Sequence, residues 1–323
     1  MRIRCLAVAL AFASLGTPAG ARADEIKLRT ASAFHVDTIF GRLFADFVKH
    51  VNETGKGVVQ FDFVRGPEAM PPFELGNALK TGVVDIANIP PNYYERLMPL
   101  ATATAYQTIG PEEQRRNGAY AFIAERVRAQ MNAHYLANYG HGIPFHLYLR
   151  RKFDVPDLKG RKIRVPPGLD EFVREFGGTI VQMPPGDIFP ALERGVIDGY
   201  AWPLWGILDL GWGPVTKYRV DPGWTSVSIH ILVNLDRWNA MSPQQREFLD
   251  QAGIGFERHA ARLIVERGAE ERRKQAAAGI ETITLTGSAE EKYVGVIYES
   301  GWRSIIRRSP EDGPRLRDLL TKK

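Results

Sequence analysis

The side chains that could do catalytic or metal chemistry in this chain are poorly spaced for it. His134, His141 and His146 lie 7 and 5 residues apart around a strand-like segment, which does not match the helix-borne histidine pairs that bind zinc. No G-x-S-x-G nucleophile turn, phosphate-binding loop or dinucleotide fingerprint is present. The pattern does not support a hydrolase or a nucleotide-dependent enzyme, and we expect no metal and no cofactor.

The N-terminal residues and the charge balance limit the class to which this protein can belong. Residues 1–23 combine a basic start, an apolar stretch and the pattern Ala21-Arg22-Ala23, which predicts a secretory signal peptide cleaved after Ala23. Cys5 is the single cysteine, so the exported chain is expected to form no disulfides. Without the three leader arginines, 39 basic residues face 37 acidic ones. A nearly neutral exported chain is not expected to bind nucleic acid.

Strands and helices alternate along the exported chain. Hydrophobic patterns predict strands at residues 27–31, 58–64, 83–89, 145–149, 162–165 and 179–183, and helices at 39–51, 72–79 and 170–176. This alternation is typical of an α/β fold with largely parallel sheets. Residues 242–278 predict one long helix or two abutting helices, with Gly253 and Gly255 as weak points.

An internal repeat appears when the chain is compared with itself at an offset of 113 residues. Residues 71–86 and 184–199 are identical at seven of sixteen positions. Each copy starts with two prolines, carries an Ala-Leu pair on a helix, and ends at a glycine followed by an aspartate at the entrance of a strand. Two copies at this separation predict two lobes of the same design.

Three segments carry a resemblance to a known family. They are Gly66-Pro67-Glu68 continuing to Asp85, then Asp-Leu-Lys-Gly-Arg-Lys-Ile-Arg-Val-Pro at residues 157–166, and Met-Pro continuing through Asp-Gly to proline at residues 183–203. In order and spacing they resemble the extracytoplasmic solute-binding proteins of TRAP transporters (tripartite ATP-independent periplasmic transporters, DctP-like receptors). The resemblance implies a two-lobed periplasmic binding protein fold of the α/β class, with hinge strands and a long C-terminal helix spanning the lobes.

The resemblance also implies which residues hold the ligand. In that family the arginine of the Lys-Ile-Arg-Val-Pro strand binds the ligand carboxylate, and here that position is Arg164, whose planar fork suits a carboxylate. Arg150 stands where the family has its other motif arginine, although its adjacency to Arg151 makes a structural or surface role for Arg150 equally compatible with the pattern. The further ligand contacts that we predict are Phe34, Glu68, Tyr93, Pro185 and Trp202, and no catalytic residue is predicted.

Two departures from the family bear on the ligand. Sialic-acid receptors carry an Asn where this chain has Trp202, and some 2-oxoacid receptors use a Glu, here Ala201, to coordinate a cation that bridges to the ligand. With one polar anchor and several aromatic residues, the site is expected to take a small monocarboxylate, a 2-oxo, 2-hydroxy or aromatic acid. Trp205 and Trp212 are compatible with either the site or the core.

The resemblance implies a periplasmic receptor, not an enzyme, that delivers a small carboxylate to TRAP membrane permease subunits. Residues 24–147 plus about 227–270 are expected to form the first lobe, and 148–226 plus about 271–323 the second, with hinge strands near 145–150 and 224–233. The same site would suit a ligand receptor for a sensor kinase, or, less readily, a secreted enzyme on this fold.

Overall fold

The computed structural model describes residues 24–321, apart from the side chains of residues 64 and 65, so the predicted leader and its cleavage point lie outside the described residues. The strands are β1 (Ile26–Ser32), β2 (Val59–Arg65), β3 (Ile86–Ile89), β4 (Ala133–Tyr139), β5 (Phe145–Leu149), β6 (Lys162–Arg164), β7 (Thr179–Val181), β8 (Gly199–Pro203), β9 (Tyr218–Asp221), β10 (Ile229–Asn234) and β11 (Glu281–Thr284). The helices are α1 (Ile39–Thr54), α2 (Leu75–Lys80), α3 (Pro111–Asn117), α4 (Ala119–Met131), α5 (Glu171–Glu175), α6 (Ile188–Glu193), α7 (Leu235–Asn239), α8 (Pro243–Ala277), α9 (Ser288–Arg308) and α10 (Gly313–Leu320).

The strands form two sheets, and each sheet is the centre of one lobe. The first lobe is built on the order β2-β1-β3-β10-β4, and the second on β11-β9-β5-β8-β6-β7. Helices such as α1 and α2 pack on the first sheet through apolar faces, as the 3.6-residue spacing predicts. The predicted two-lobed α/β fold is confirmed.

The sheets are less parallel than the sequence pattern predicts. In the first sheet β10 runs antiparallel to both β3 and β4, and in the second β5 runs antiparallel to both β8 and β9. These two strands follow the points where the chain crosses from one lobe to the other, so they enter the new sheet from the cleft side. The alternation of strands and helices along the sequence does not show in which direction β5 and β10 run relative to their neighbouring strands.

Helix α8 is a single helix that reaches both lobes. Its start carries a capping box, in which the amide of Gln245 donates to the Ser242 hydroxyl at 3.2 Å and the Ser242 amide donates to the Gln245 side chain at 2.9 Å. Gly253 permits a close approach to the first sheet, because a Cβ there would lie 2.9 Å from the Leu136 carbonyl oxygen. Near the other end, buried Gln275 donates to the Leu204 carbonyl of the second lobe at 2.6 Å.

The internal repeat has one structure in both lobes. Gly82 and Gly195 have φ of +76° and +70°, the left-handed geometry that closes a helix. Asp85 accepts a hydrogen bond from the Arg29 amide at 2.8 Å, and Asp198 accepts one from the Lys162 amide at 2.8 Å. Each aspartate therefore ties the entrance of its strand to the neighbouring parallel strand.

The end of the chain contacts both lobes. Helix α9 packs on α5 in the second lobe and on a 3-10 helix, Pro99–Tyr106, in the first, whereas α10 packs on α3 and α4 in the first lobe. The lobe boundaries expected from the sequence stay a prediction. Among the described residues, no helix combines the length and apolar character needed to cross a membrane.

Candidate functional site

The carboxyl ends of the parallel strands in both sheets face one cleft between the lobes, which is where α/β sheets bind ligands. An inner chamber of about 440 Å³, counting space open to solvent, lies there. The first lobe lines it with Phe34, Phe40, Pro90, Pro91, Asn92, Tyr93, Ala105, Val227, Ser228 and Ile229. The second lobe lines it with Phe145, Pro166, Leu169, Trp202 and Pro203.

A wider outer chamber of about 860 Å³, again counting open space, lies beside the inner one. Phe34, Phe40 and Trp202 line both chambers. The remaining outer wall is mostly apolar and consists of Ala33, His35, Thr38, Pro67, Pro72, Pro184, Pro185, Gly186, Gly206 and Leu210. The two chambers together form a mainly apolar cleft with few polar side chains, which is the usual character of a small-molecule site.

Arg164 is the charged group beside this cleft, at the end of β6 and with 0% of its surface exposed. Its Nε and Nη2 donate to the Met183 carbonyl at 3.2 and 3.0 Å, whereas Nη1 meets no hydrogen-bond acceptor within the described part of the chain. Its Cζ lies 5.5 Å from the Trp202 ring centroid. The guanidinium lies next to Trp202 and Tyr93, and among the described side chains no carboxylate pairs with it.

Burial governs the electrostatics of this corner. Burial lowers the pKa of Arg164 below its ordinary value, and the neighbouring Tyr93 phenol partly opposes that shift. Burial likewise raises the pKa of Tyr93, again opposed by Arg164. The phenol is therefore neutral, and the guanidinium is a cation with no anionic partner among residues 24–321 as described. Removing such a charge from water is costly unless an anion pairs with it, so this corner favours an anionic ligand.

The structure brings four of the seven residues predicted from the sequence to one place. Phe34, Tyr93 and Trp202 line the inner chamber, and Arg164 lies next to the last two. Pro185 lies farther out and lines the outer chamber. The predicted contacts therefore extend along the cleft from the buried arginine to its mouth.

Two predicted residues line neither chamber. Glu68 is at the outer end, where one carboxylate oxygen is 4.0 Å from His35 Nε2 and the other accepts from the Gly66 amide at 3.2 Å. Arg150 follows the far end of β5, near Gly195, whereas Phe145 at the start of β5 lines the chamber. Five strand residues at about 3.3 Å each place the Arg150 backbone roughly 17 Å from Phe145.

Several lining residues were not predicted from the sequence. Phe40, Asn92, Phe145, Leu169 and Ser228 line the inner chamber. Position in the sequence could have identified two of them, because Asn92 follows two prolines at the end of β3 and Leu169 follows the end of β6. Both of these strand ends face the cleft. Ser228 and Phe145 belong to the crossing segments, and only the reversed direction of their strands brings them to the chamber.

Trp205 and Trp212, which the sequence leaves open between site and core, support the wall from behind. Trp205 stacks on Phe40 with ring centroids 6.5 Å apart, and Trp212 packs edge-on against Trp202 at 4.8 Å. Neither lines a chamber.

The three histidines lie in separate surroundings. His134 stacks on Trp238 and approaches Asp250 at 3.0 Å, while buried His146 is 3.0 Å from Asp221 in the second lobe. His141 borders a different cavity, behind the first sheet. Within residues 24–321, no group of three or more His, Cys, Asp or Glu is arranged to hold a metal ion.

Residues 33–295 match the bacterial extracellular solute-binding proteins of family 7, the DctP family. The match spans most of the chain, and the two-lobed fold with a cleft between its sheets agrees with it. The chain belongs to this family, the extracytoplasmic solute receptors of TRAP transporters. The predicted family is confirmed, and it is a family of receptors that work outside the cytoplasm, not of enzymes.

Individual relatives are distant in sequence and close in fold. A pyroglutamic acid-binding extracytoplasmic solute receptor of Bordetella pertussis has a TM-score of 0.82 at 15% identity, covering 91% of this chain and 99% of that one. A TRAP transporter solute binding protein of Bordetella bronchiseptica, with calcium and picolinate bound, has a TM-score of 0.78 at 22% identity, covering 92% of each chain. A monocarboxylate 2-oxoacid-binding periplasmic protein of Nostoc sp. is 25% identical over 220 residues, 64% of this chain and 59% of that relative. The match therefore spans under two thirds of the Nostoc protein.

Proposed function

We propose that this receptor captures a small organic monocarboxylate, a 2-oxo, 2-hydroxy or aromatic acid, in the periplasm and delivers it to the membrane permease of a TRAP-type secondary transporter. Its carboxylate would pair with Arg164, and its body would occupy the aromatic chamber beside Phe34, Tyr93 and Trp202. The relatives that bind pyroglutamic acid, picolinate and monocarboxylate 2-oxoacids support this class of ligand.

The observation that carries the proposal is the unbalanced charge of Arg164. Its guanidinium is fully buried, Nη1 has no hydrogen-bond partner in the part of the chain that the structure describes, and the nearest aromatic groups are neutral. A carboxylate would supply both the missing charge and a hydrogen-bond acceptor. Charge-assisted hydrogen bonds of this kind contribute about 1.5–3 kcal/mol.

Capture requires that the lobes open and close. The chain crosses between lobes before β5 and before β10, the segments expected to act as hinges, and both segments also contribute lining residues. Closure on a ligand would remove water from the arginine contact. Small-angle scattering should show a smaller radius of gyration at saturating ligand, and an unchanged radius would contradict hinge closure.

Calorimetry with matched ligands and variants tests the site. We expect the wild type to bind pyroglutamate or a 2-oxoacid and not the corresponding primary amide, which lacks the negative charge. Arg164→Lys keeps a cation but loses the fork, so affinity should fall about ten- to a hundredfold. Arg150→Lys is the control, because Arg150 lies at the far end of the sheet, and its affinity should stay within about twofold of the wild type. Equal affinity of Arg164→Lys and the wild type would contradict the proposal.

Uptake measurements distinguish the transport role from the alternatives. Deleting the permease genes should abolish uptake of the bound acid if the receptor serves a transporter. Retained uptake in that strain, together with a transcriptional response to the acid that is lost when the receptor gene is deleted, would instead favour a ligand receptor for a sensor kinase. Chemical turnover of the bound acid by the purified protein would favour the secreted enzyme.

A further inference from the structure

Trp202 is held in one orientation at the centre of the cleft. It lies near the end of β8, where it pairs with His146 of β5, and Trp212 packs edge-on against its ring at 4.8 Å. On another side the Arg164 guanidinium carbon is 5.5 Å from the ring centroid. Only 5% of the residue is exposed. Contacts on several sides fix where the polar edge of the indole points.

The polar edge of Trp202 has no partner among the described residues. Its Nε1 is buried and donates no hydrogen bond among the described residues, although an indole N–H can act only as a donor and a buried donor is normally paired. A Cβ built on Gly206, which lines the outer chamber, would lie 3.7 Å from Nε1. The N–H therefore lies close to the chamber surface at Gly206.

Two other hydroxyl donors along the cleft, those of Ser228 and Thr38, are already engaged. The Ser228 hydroxyl is 2.8 Å from Thr104 Oγ1 and 2.9 Å from Asn138 Oδ1. In the outer chamber the Thr38 hydroxyl donates to the His35 carbonyl at 2.7 Å. Besides Arg164, the Trp202 N–H is thus a donor that a ligand could pair with at no cost to the fold.

We propose that Trp202 is a specificity-determining residue, whose indole N–H donates to a second acceptor on the ligand close to the carboxylate held by Arg164. This inference rests on the proposed function and narrows its ligand class. The preferred ligands would carry an oxo, hydroxyl, lactam carbonyl or ring-nitrogen acceptor beside the carboxylate. Plain alkyl and aryl acids would bind less tightly, because they leave the buried donor unpaired.

Matched pairs of acids test the proposal by calorimetry. Picolinate and benzoate differ by a ring nitrogen, and pyroglutamate and cyclopentanecarboxylate differ by the lactam group. We expect the wild type to prefer the acceptor-bearing member of at least one pair by about tenfold or more. Trp202→Phe keeps an aromatic ring without the N–H, so it should lose the preference, and its affinity for the acceptor-bearing acid should fall about tenfold more than its affinity for benzoate or cyclopentanecarboxylate.

Control variants separate this role from structural effects. Trp205→Phe makes the same change in a ring that lines neither chamber, and it should keep the preference. Persistence of the preference in Trp202→Phe, or its loss in Asn92→Ala alone, would overturn the inference while leaving carboxylate binding intact. If the wild type bound none of the four acids and no 2-oxoacid, the proposed function itself would fail, and this inference would fail with it.

A spectroscopic readout checks the hydrogen bond directly. In ¹⁵N-labelled protein the Trp202 indole resonance is identified by its absence in Trp202→Phe. Picolinate should shift that proton farther downfield than benzoate does, because only picolinate supplies a ring-nitrogen acceptor. Identical indole shifts with both acids would contradict a hydrogen bond to the ring nitrogen.

Discussion

Gly168 offers a test of closure that leaves the ligand contacts untouched. It lies in the second lobe between Arg164 and Leu169, has a φ of +71°, and faces the first lobe. A Cβ added there would lie 2.5 Å from a Glu95 carboxylate oxygen and 2.8 Å from the Thr102 methyl carbon. Both contacts cross between the lobes, so the added methyl group obstructs the closed form and is free in an open one.

The neighbours of Gly168 cannot easily move aside. Arg308 holds the Glu95 carboxylate at 2.6 Å, and Thr102 is fully buried with its hydroxyl donating to the Pro99 carbonyl at 3.0 Å. Overpacking of this kind costs about 1–3 kcal/mol. Because the cost falls on the closed form, Gly168→Ala should weaken ligand binding roughly 5- to 150-fold.

Gly160→Ala is the matched control, since Gly160 has a φ of +73° and nothing lies within 4 Å of its added Cβ. Each alanine carries the backbone cost of the left-handed region, about 1–2 kcal/mol of unfolding free energy, but only one carries the interlobe clash. Calorimetry with the tightest-binding acid and scattering with and without it measure affinity and compaction. Equal dissociation constants for the two variants would refute the argument that Gly168 sets the closed distance.

Three further predictions concern stability and processing. In α8, Gly253→Ala should lower the unfolding free energy by about 1–3 kcal/mol because its Cβ meets the Leu136 carbonyl, whereas Gly255→Ala, with open space around it, should raise it by up to about 1 kcal/mol. Denaturant titration measures both changes, and a change of the same sign in both variants would contradict this prediction. Burial alone would raise the pKa of Asp221, but hydrogen bonds from a histidine and an arginine outweigh it and hold that pKa well below its usual range. The ionised Asp221 carboxylate therefore stabilises the fold above about pH 4, and this stabilisation is lost as the pH falls further. Asp221→Asn should lower the unfolding free energy by about 3 kcal/mol at neutral pH, and its stability should depend less on pH in the acid range. Mass spectrometry of the exported protein should give a chain cleaved after Ala23, and a retained leader would contradict the signal peptide.

Local signals in the sequence determined most of the elements and the duplication. Apolar spacing predicted α1 and α8, and residues 145–149 were predicted as the strand that the structure has. The repeat predicted matching junctions at Gly82 and Gly195, and both glycines have the left-handed geometry. These features depend on residues a few positions apart, whose periodicity and turn chemistry are written directly in the chain.

The residues that form the site are those at the strand ends that lie together in space. Only the tertiary structure determines which strand ends these are. Sequence motifs pointed to Arg164 and left Arg150 open between the site and the surface; the structure buries Arg164 beside the cleft and places Arg150 at the far end of the sheet. Phe145 and Ser228 reach the chamber because their strands enter each sheet in reverse, a direction set by packing between distant segments. Whether a buried donor such as Arg164 Nη1 or Trp202 Nε1 is left unpaired likewise depends on every neighbour in space, because desolvation and hydrogen bonding act over distance in three dimensions and not along the chain.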